Sequence, residues 1–137
     1  GDIMGIGNDN MCFACGKDNP LSLRLKFEKV GDKKVRTEFS PKDVHQGYDG
    51  IMHGGLITTL LDEAMAKVLS LNEIPALTAR MSIRFKHPVP IETDLIVTAE
   101  IIKNKTGLYF TEAEVRNKEG KLFAQAEAKF MKVKEAK

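Results

Sequence analysis

The chain has 137 residues, 42% of them apolar, which suits one domain able to bury about two thirds of its unfolded surface without metals or disulfide staples. With 21 basic against 19 acidic side chains the formal net charge is +2, so no strong field points to nucleic acid or an anionic membrane. No apolar run approaches the roughly 18 residues of a spanning helix, and residues 1–20 lack the basic-then-apolar layout of a signal peptide, which predicts a cytoplasmic protein.

Residues 1–20 form an irregular start to a single domain over 1–137. They hold both cysteines, in Cys12-Phe13-Ala14-Cys15-Gly16. A Cys-x-x-Cys pair is half of a zinc site or a redox dithiol, but a tetrahedral site needs two more ligands. No second pair exists, and His45, His53 and His87 lack ligand spacing, so the expectation is two free thiols near a turn and no metal. Leu21, Leu23, Leu25 and Phe27 then alternate with Ser22, Arg24, Lys26 and Glu28, the period of a half-buried strand. Gly31-Asp32 turns this strand into a hairpin partner over Lys34 to Phe39, which Ser40-Pro41 closes. Residues 41–52 make a loop rich in Gly, Asp, His and Gln.

One long helix is predicted from about Gly54 to Leu71. Stepping about 100° per residue places Leu60, Ile57, Ala64, Val68, Leu61 and Met65 within roughly 180°, a core-facing stripe. Asp62 falls just outside it, at roughly 240°, beside Thr58, Thr59, Ala66 and Leu69, none of them basic. Glu63 lies on the other margin near Lys67 at i+4, the spacing of a solvated ion pair. Gly54 and Gly55 bare amides at the positive end of the helix dipole, where an oxyanion or a thioester carbonyl oxygen is favoured.

Four strands follow. In Thr78 to Lys86, alternation sets Ala79, Met81, Ile83 and Phe85 on one face and Thr78, Arg80, Ser82, Arg84 and Lys86 on the other, until Pro88 and Pro90 end the ladder. Leu95 to Ile102, a turn at Asn104 to Gly107, Leu108 to Arg116, a turn at Asn117 to Gly120 and Leu122 to Val133 complete an antiparallel meander. Ala124, Ala126 and Ala128 share one face of the last strand and leave room for the helix. The architecture is therefore α+β.

The run His45-Gln46-Gly47-Tyr48-Asp49-Gly50-Ile51-Met52-His53-Gly54-Gly55, followed by Leu60-Leu61-Asp62, resembles the hotdog-fold acyl-CoA thioesterases of the phenylacetate-pathway and thioesterase-superfamily-member type. Cys12-x-x-Cys15-Gly16-x-x-Asn19-Pro20-x-x-Leu23 and Phe85-x-x-Pro88-Val89 extend the likeness over most of the chain. It implies a curved antiparallel sheet wrapped round one long helix, with acyl-CoA as substrate and no other cofactor. In the family the acid at the place of Asp62 is general base or nucleophile. The Gly54 position, with Gly55 beside it, supplies the oxyanion amide from the partner subunit. Thr78 stands where a hydroxyl positions water, and His53 shapes the loop around the thioester. The family's active site spans a homodimer interface made by the strand after the helix, often within a dimer of dimers. Gly47 stands where many members carry an Asn, with His45 or Gln46 as substitutes for that polar group. Arg80, Arg84 and Lys86, with Lys103 and Lys105, are the candidate partners for the CoA phosphates. Two other functions remain open: a non-catalytic acyl-CoA binding module, and a dehydratase or hydratase acting on 3-hydroxyacyl or enoyl thioesters.

Overall fold

The computed structural model describes residues 9–134, so the part of the irregular start before residue 9 lies outside the described residues. Strands β1 (Glu28–Gly31) and β2 (Lys34–Phe39) precede helix α1 (Gly54–Ser70). Strands β3 (Ala76–Phe85), β4 (Leu95–Lys105), β5 (Leu108–Asn117) and β6 (Leu122–Lys132) follow it. The six strands form one sheet in the order β1-β2-β4-β5-β6-β3, with every neighbouring pair antiparallel.

The apolar stripe of α1 lies against this sheet. Ile57, Leu60, Leu61, Ala64, Met65 and Val68 are buried, as the helical wheel predicts, Leu69 on the Asp62 margin is buried as well, and they meet one face of the sheet. That face is made by Val35 and Thr37, by Leu95, Val97 and Ala99, by Thr111, Ala113 and Val115, and by Ala124, Ala126, Ala128 and Phe130. The alanines of β6 sit on the helix side, where their small size lets the sheet curl around α1. The helix stops where Asn72 Nδ2 donates to Val68 O at 2.6 Å and Glu73 takes a left-handed conformation (φ 60), just ahead of Pro75. Thr106 and Gly107, both at positive φ (52 and 79), join β4 to β5 in a two-residue turn whose twist matches the strands.

Two expectations change. The alternating run Leu21 to Phe27 is not a ladder strand: β1 starts at Glu28. Arg24 interrupts the run at φ 55, and the Leu23 and Leu25 amides donate instead to Phe13 O and Ala14 O, at 2.8 and 3.0 Å. The run is thereby stitched to the cysteine-bearing loop, with Leu25 buried and Leu21 exposed. The second change is in β3, where Ala79 has no partner on β6: Thr78 pairs with Phe130 and Arg80 with Lys129. This one-residue bulge puts Thr78 on the helix side with Phe130 and Met81, not on the outer face with Arg80 as strict alternation requires. No helix among the described residues is long and apolar enough to cross a membrane.

Candidate active site

The loop before α1 is held by its own backbone. The His53 amide donates to His45 O at 2.8 Å, Gly47 to Ile51 O at 2.9 Å, and Met52 to Val89 O at 2.8 Å. Gly47 lies directly against His53: a Cβ there would stand 3.2 Å from His53 Cα and 3.4 Å from Cδ2, so a larger residue needs His53 to give way by a few tenths of an ångström. The side chains expected to replace the missing Asn are engaged elsewhere. His45 Nδ1 accepts from the Lys42 amide at 2.8 Å, while Gln46 donates to Asp43 O at 2.9 Å and accepts from the Gly50 amide. Burial, with Lys42 nearby, lowers the His45 imidazole from its ordinary pKa and keeps it a neutral brace.

His53 is the N-cap of α1, extended at φ −61 and ψ 131, and its Nδ1 accepts from the Gly55 amide at 2.8 Å. An accepting Nδ1 leaves the proton of the neutral ring on Nε2. The bond also divides the two glycines. Gly55 N–H is satisfied within the cap, whereas Gly54 N–H has no hydrogen-bond partner among the described residues. Gly54 is exposed at the positive end of a 17-residue helix, with the Phe85 ring beside it. Of the two candidate oxyanion amides, Gly54 presents its N–H outward.

Two turns further on, Asp62 Oδ1 accepts from Thr78 Oγ1 at 3.3 Å. The bulge at Ala79 makes this contact possible. Asp62 is half-buried in a cleft of about 250 Å³ lined by Cys12, Phe13, Ala14, Thr58, Thr59 and Glu63, with no cation among them. Burial therefore raises its carboxyl above the ordinary range, opposed in part by the Thr78 hydroxyl. Phe13 was not expected in this wall. Its apolar ring between two cysteines in a tight turn is the signal that it packs on something.

Glu63 is not the solvated half of a pair with Lys67. It is half-buried and receives the Cys12 thiol at 3.9 Å, while Lys67 Nζ donates to Asp9 Oδ2 at 2.6 Å. Burial and the Glu63 carboxylate push the Cys15 thiol well up, which makes it a poor nucleophile.

The candidate phosphate ligands stand apart from Asp62. Arg84 lies in a trough of about 420 Å³ on the outer face of the sheet, among Glu100, Glu112, Glu114 and Glu127. Arg80 and Lys103 line a neighbouring trough of about 480 Å³, where Lys103 Nζ sits 4.8 Å over the Phe110 ring. Lys105 ends β4, and exposed Lys86 follows β3 on the Phe85 side. Within one chain the sheet thus separates Arg80, Arg84 and Lys103 from the Asp62 cleft.

A model of the family described as the thioesterase superfamily matches residues 49–124, from the loop through α1 into β6. Human acyl-coenzyme A thioesterase 13 is 34% identical over 89 residues, 64% of this chain and 64% of that protein, so the match spans less than two thirds of the relative's length. The crystal structure of zebra fish thioesterase superfamily member 2 superposes with a TM-score of 0.77 at 26% identity, covering 91% of this chain and 92% of that one. A hypothetical thioesterase from Streptococcus pneumoniae, solved with coenzyme A, superposes at 0.76 over 82% of this chain and 91% of its own. At 19% identity that second likeness speaks for the fold alone. One helix held in a curved six-stranded antiparallel sheet is the hotdog fold expected from the sequence.

Proposed function

Because the chain belongs to the thioesterase superfamily, we propose that it hydrolyses an acyl-CoA thioester to the free acid and CoA, using Asp62 of one subunit and the Gly54 amide of another. The observation that carries this reading is the pair of unspent groups at the two ends of the site. Asp62 is a half-buried carboxylate with a raised pKa and one hydroxyl partner, and Gly54 N–H, at a helix N-terminus, is a donor without a partner among the described residues. Asp62 takes a proton from water, whose oxygen attacks the thioester carbon. The carbonyl oxygen becomes an oxyanion against Gly54 N–H, the C–S bond then breaks, and the CoA thiolate leaves to take up a proton. Thr78 holds the Asp62 oxygen that faces the water. Neither the water activation nor the oxyanion stabilisation calls for a metal or a further cofactor.

Distance argues for two subunits. Asp62 lies eight residues after Gly54 on one straight helix, about 12 Å along its axis, whereas one reacting carbon must sit about 3 Å from both groups. A symmetric dimer brings the Gly54 of one chain to the Asp62 of its mate. The open side of β3 suits that contact: ten residues at a sheet edge, with Leu77 and Phe85 exposed at 44% and 56%. Lys86 then lies near the Gly54 end for the CoA phosphates. Arg80, Arg84, Lys103 and Lys105 reach CoA only where a second dimer is laid on the outer face. His45 and Gln46 brace the loop instead of touching substrate.

The test is Asp62→Asn, which keeps the shape and removes the base. Release of CoA thiol from short, long and aromatic acyl-CoAs falls about 10²–10⁴-fold in the variant. Wild-type turnover by Asp62→Asn would overturn the assignment. Tight acyl-CoA binding without thiol release identifies a binding module, and a change in enoyl absorbance without thiol release identifies a hydratase.

A further inference from the structure

We propose that Cys12, Cys15 and Glu63 bind a zinc-type divalent cation, with the Asp9 carboxylate closing the tetrahedron, at a site that fastens the N-terminal loop to α1 beside Asp62. The two sulfurs and a Glu63 carboxylate oxygen all lie within 4.8 Å of one another. Cys12 Sγ is 3.9 Å from Glu63 Oε2, and Cys15 Sγ is 3.5 Å from Asp9 Oδ2. In a tetrahedral zinc site, with Zn–S about 2.3 Å and Zn–O about 2.0 Å, neighbouring S and O ligands stand about 3.5 Å apart and neighbouring sulfurs about 3.8 Å. The Cys12–Glu63 and Cys15–Asp9 contacts lie within a few tenths of an ångström of these spacings, and Asp9, which stands outside the three-residue cluster, has to swing in from Cys15 to close the site. The two ligands absent from the linear sequence are thus carboxylates, one from the preceding turn and one 48 residues on in α1, the difference between Cys15 and Glu63.

The turn itself is shaped as a chelate. The Gly16 amide donates to Cys12 O at 2.8 Å, and a Cβ on Gly16 would fall 2.5 Å from Cys12 N and 2.6 Å from Cys12 O. No residue but glycine closes Cys12-Phe13-Ala14-Cys15 this tightly, and the closure turns both sulfurs toward Glu63. Charge fits as well. Two thiolates and two carboxylates over-neutralise a divalent ion, and the Lys67 ammonium on Asp9, at 2.6 Å, offsets part of the excess while orienting that ligand from outside. Thiolates in the set select zinc over calcium or magnesium. Cys12 and Glu63 also line the Asp62 cleft, so the cation would fix one wall of it. The inference does not depend on the hydrolysis reading.

The experiment uses the full chain without an affinity tag, reduced and freed of metal. One equivalent of zinc is expected to be taken up in competition with a chromophoric chelator. Cobalt(II) in its place gives a thiolate-to-cobalt charge-transfer band and the d–d bands of a tetrahedral ion. Glu63→Gln keeps both thiols and the helix, and weakens zinc by more than about 100-fold, beyond what loss of an outer-shell partner does. Cys12→Ser and Cys15→Ser abolish the cobalt charge-transfer band or diminish it. Where a cysteine variant does not fold, wild type and Glu63→Gln decide the matter. A folded, reduced chain that takes up no zinc overturns the proposal. So do two thiols that react freely with a thiol reagent in excess zinc, or a Glu63→Gln affinity equal to wild type.

Discussion

If Asp62 and Gly54 N–H act on one carbonyl from different chains, two inactive variants must restore each other when mixed. Asp62→Asn removes the base. Gly54→Pro removes the oxyanion donor at small structural cost, because Gly54 is the first helical residue and its N–H has no partner to lose among the described residues. His53 is already extended (φ −61, ψ 131), as a residue before proline must be, and the nearest atom to a Cβ at position 54 is Phe85 Cε1 at 3.7 Å, an ordinary contact. Alone, Gly54→Pro should cost about 10²–10³ in kcat and Asp62→Asn about 10²–10⁴. Random reassortment of equal amounts makes half of the dimers mixed. Each mixed dimer has one site carrying both lesions and one carrying neither, so the mixture regains roughly a quarter of wild-type activity. Co-expression with two different tags and tandem purification isolates the mixed dimer, which should show about half of wild-type thiol release. Activity that stays at the level of the separate variants would refute the shared site, and with it the argument from about 12 Å of helix.

Burial raises the Asp62 carboxyl, so thiol release should rise with pH along a limb above the ordinary aspartate range. Thr78→Val deletes the bond that favours the anion and should move that limb to still higher pH; a limb that stays in place or moves down contradicts the geometry. The stability sign is opposite to that of a salt-bridged acid. A carboxyl whose pKa is raised on folding weakens the native state above its folded pKa and no longer does so below its unfolded one. Asp62→Asn should therefore raise Tm at neutral pH and lose this advantage as pH falls through the ordinary carboxylate range, which thermal unfolding across pH measures. His53→Ala removes the cap on Gly55 N–H and should cost about 1 kcal/mol, seen as a lower denaturation midpoint at unchanged slope.

The helix and the last four strands are legible because burial repeats at one period along the helix and along most of each strand, slipping only at the bulges. Ile57, Leu60, Leu61, Ala64, Met65 and Val68 hold the 3.6 period without a break, and Asp62 falls at its margin in the structure as on the wheel. Leu21 to Phe27 shows why period alone does not make a strand. Alternation states which side chains go inside and is silent about where the amides go, and here they go to Phe13 and Ala14. The same silence hid the Cys12, Cys15 and Glu63 cluster, since Glu63 at i−4 from Lys67 already had a sufficient local explanation.

The bulge at Ala79 has no mark in the sequence, yet it decides the chemistry around Asp62. With unbroken alternation, a strand that turns Met81, Ile83 and Phe85 toward the helix must turn Thr78 away, and Asp62 would sit in its cleft without the hydroxyl. One unpaired residue reverses the start of the strand, Ala76 to Thr78, while Arg80 and Arg84 stay on the outer face with Glu112 and Glu127. The strand can therefore carry cations on its outside and a neutral donor on its inside at adjoining positions. That separation keeps positive charge out of the Asp62 cleft. A guanidinium there would hold the carboxylate as a low-pKa anion, a weaker base than the desolvated one the fold provides.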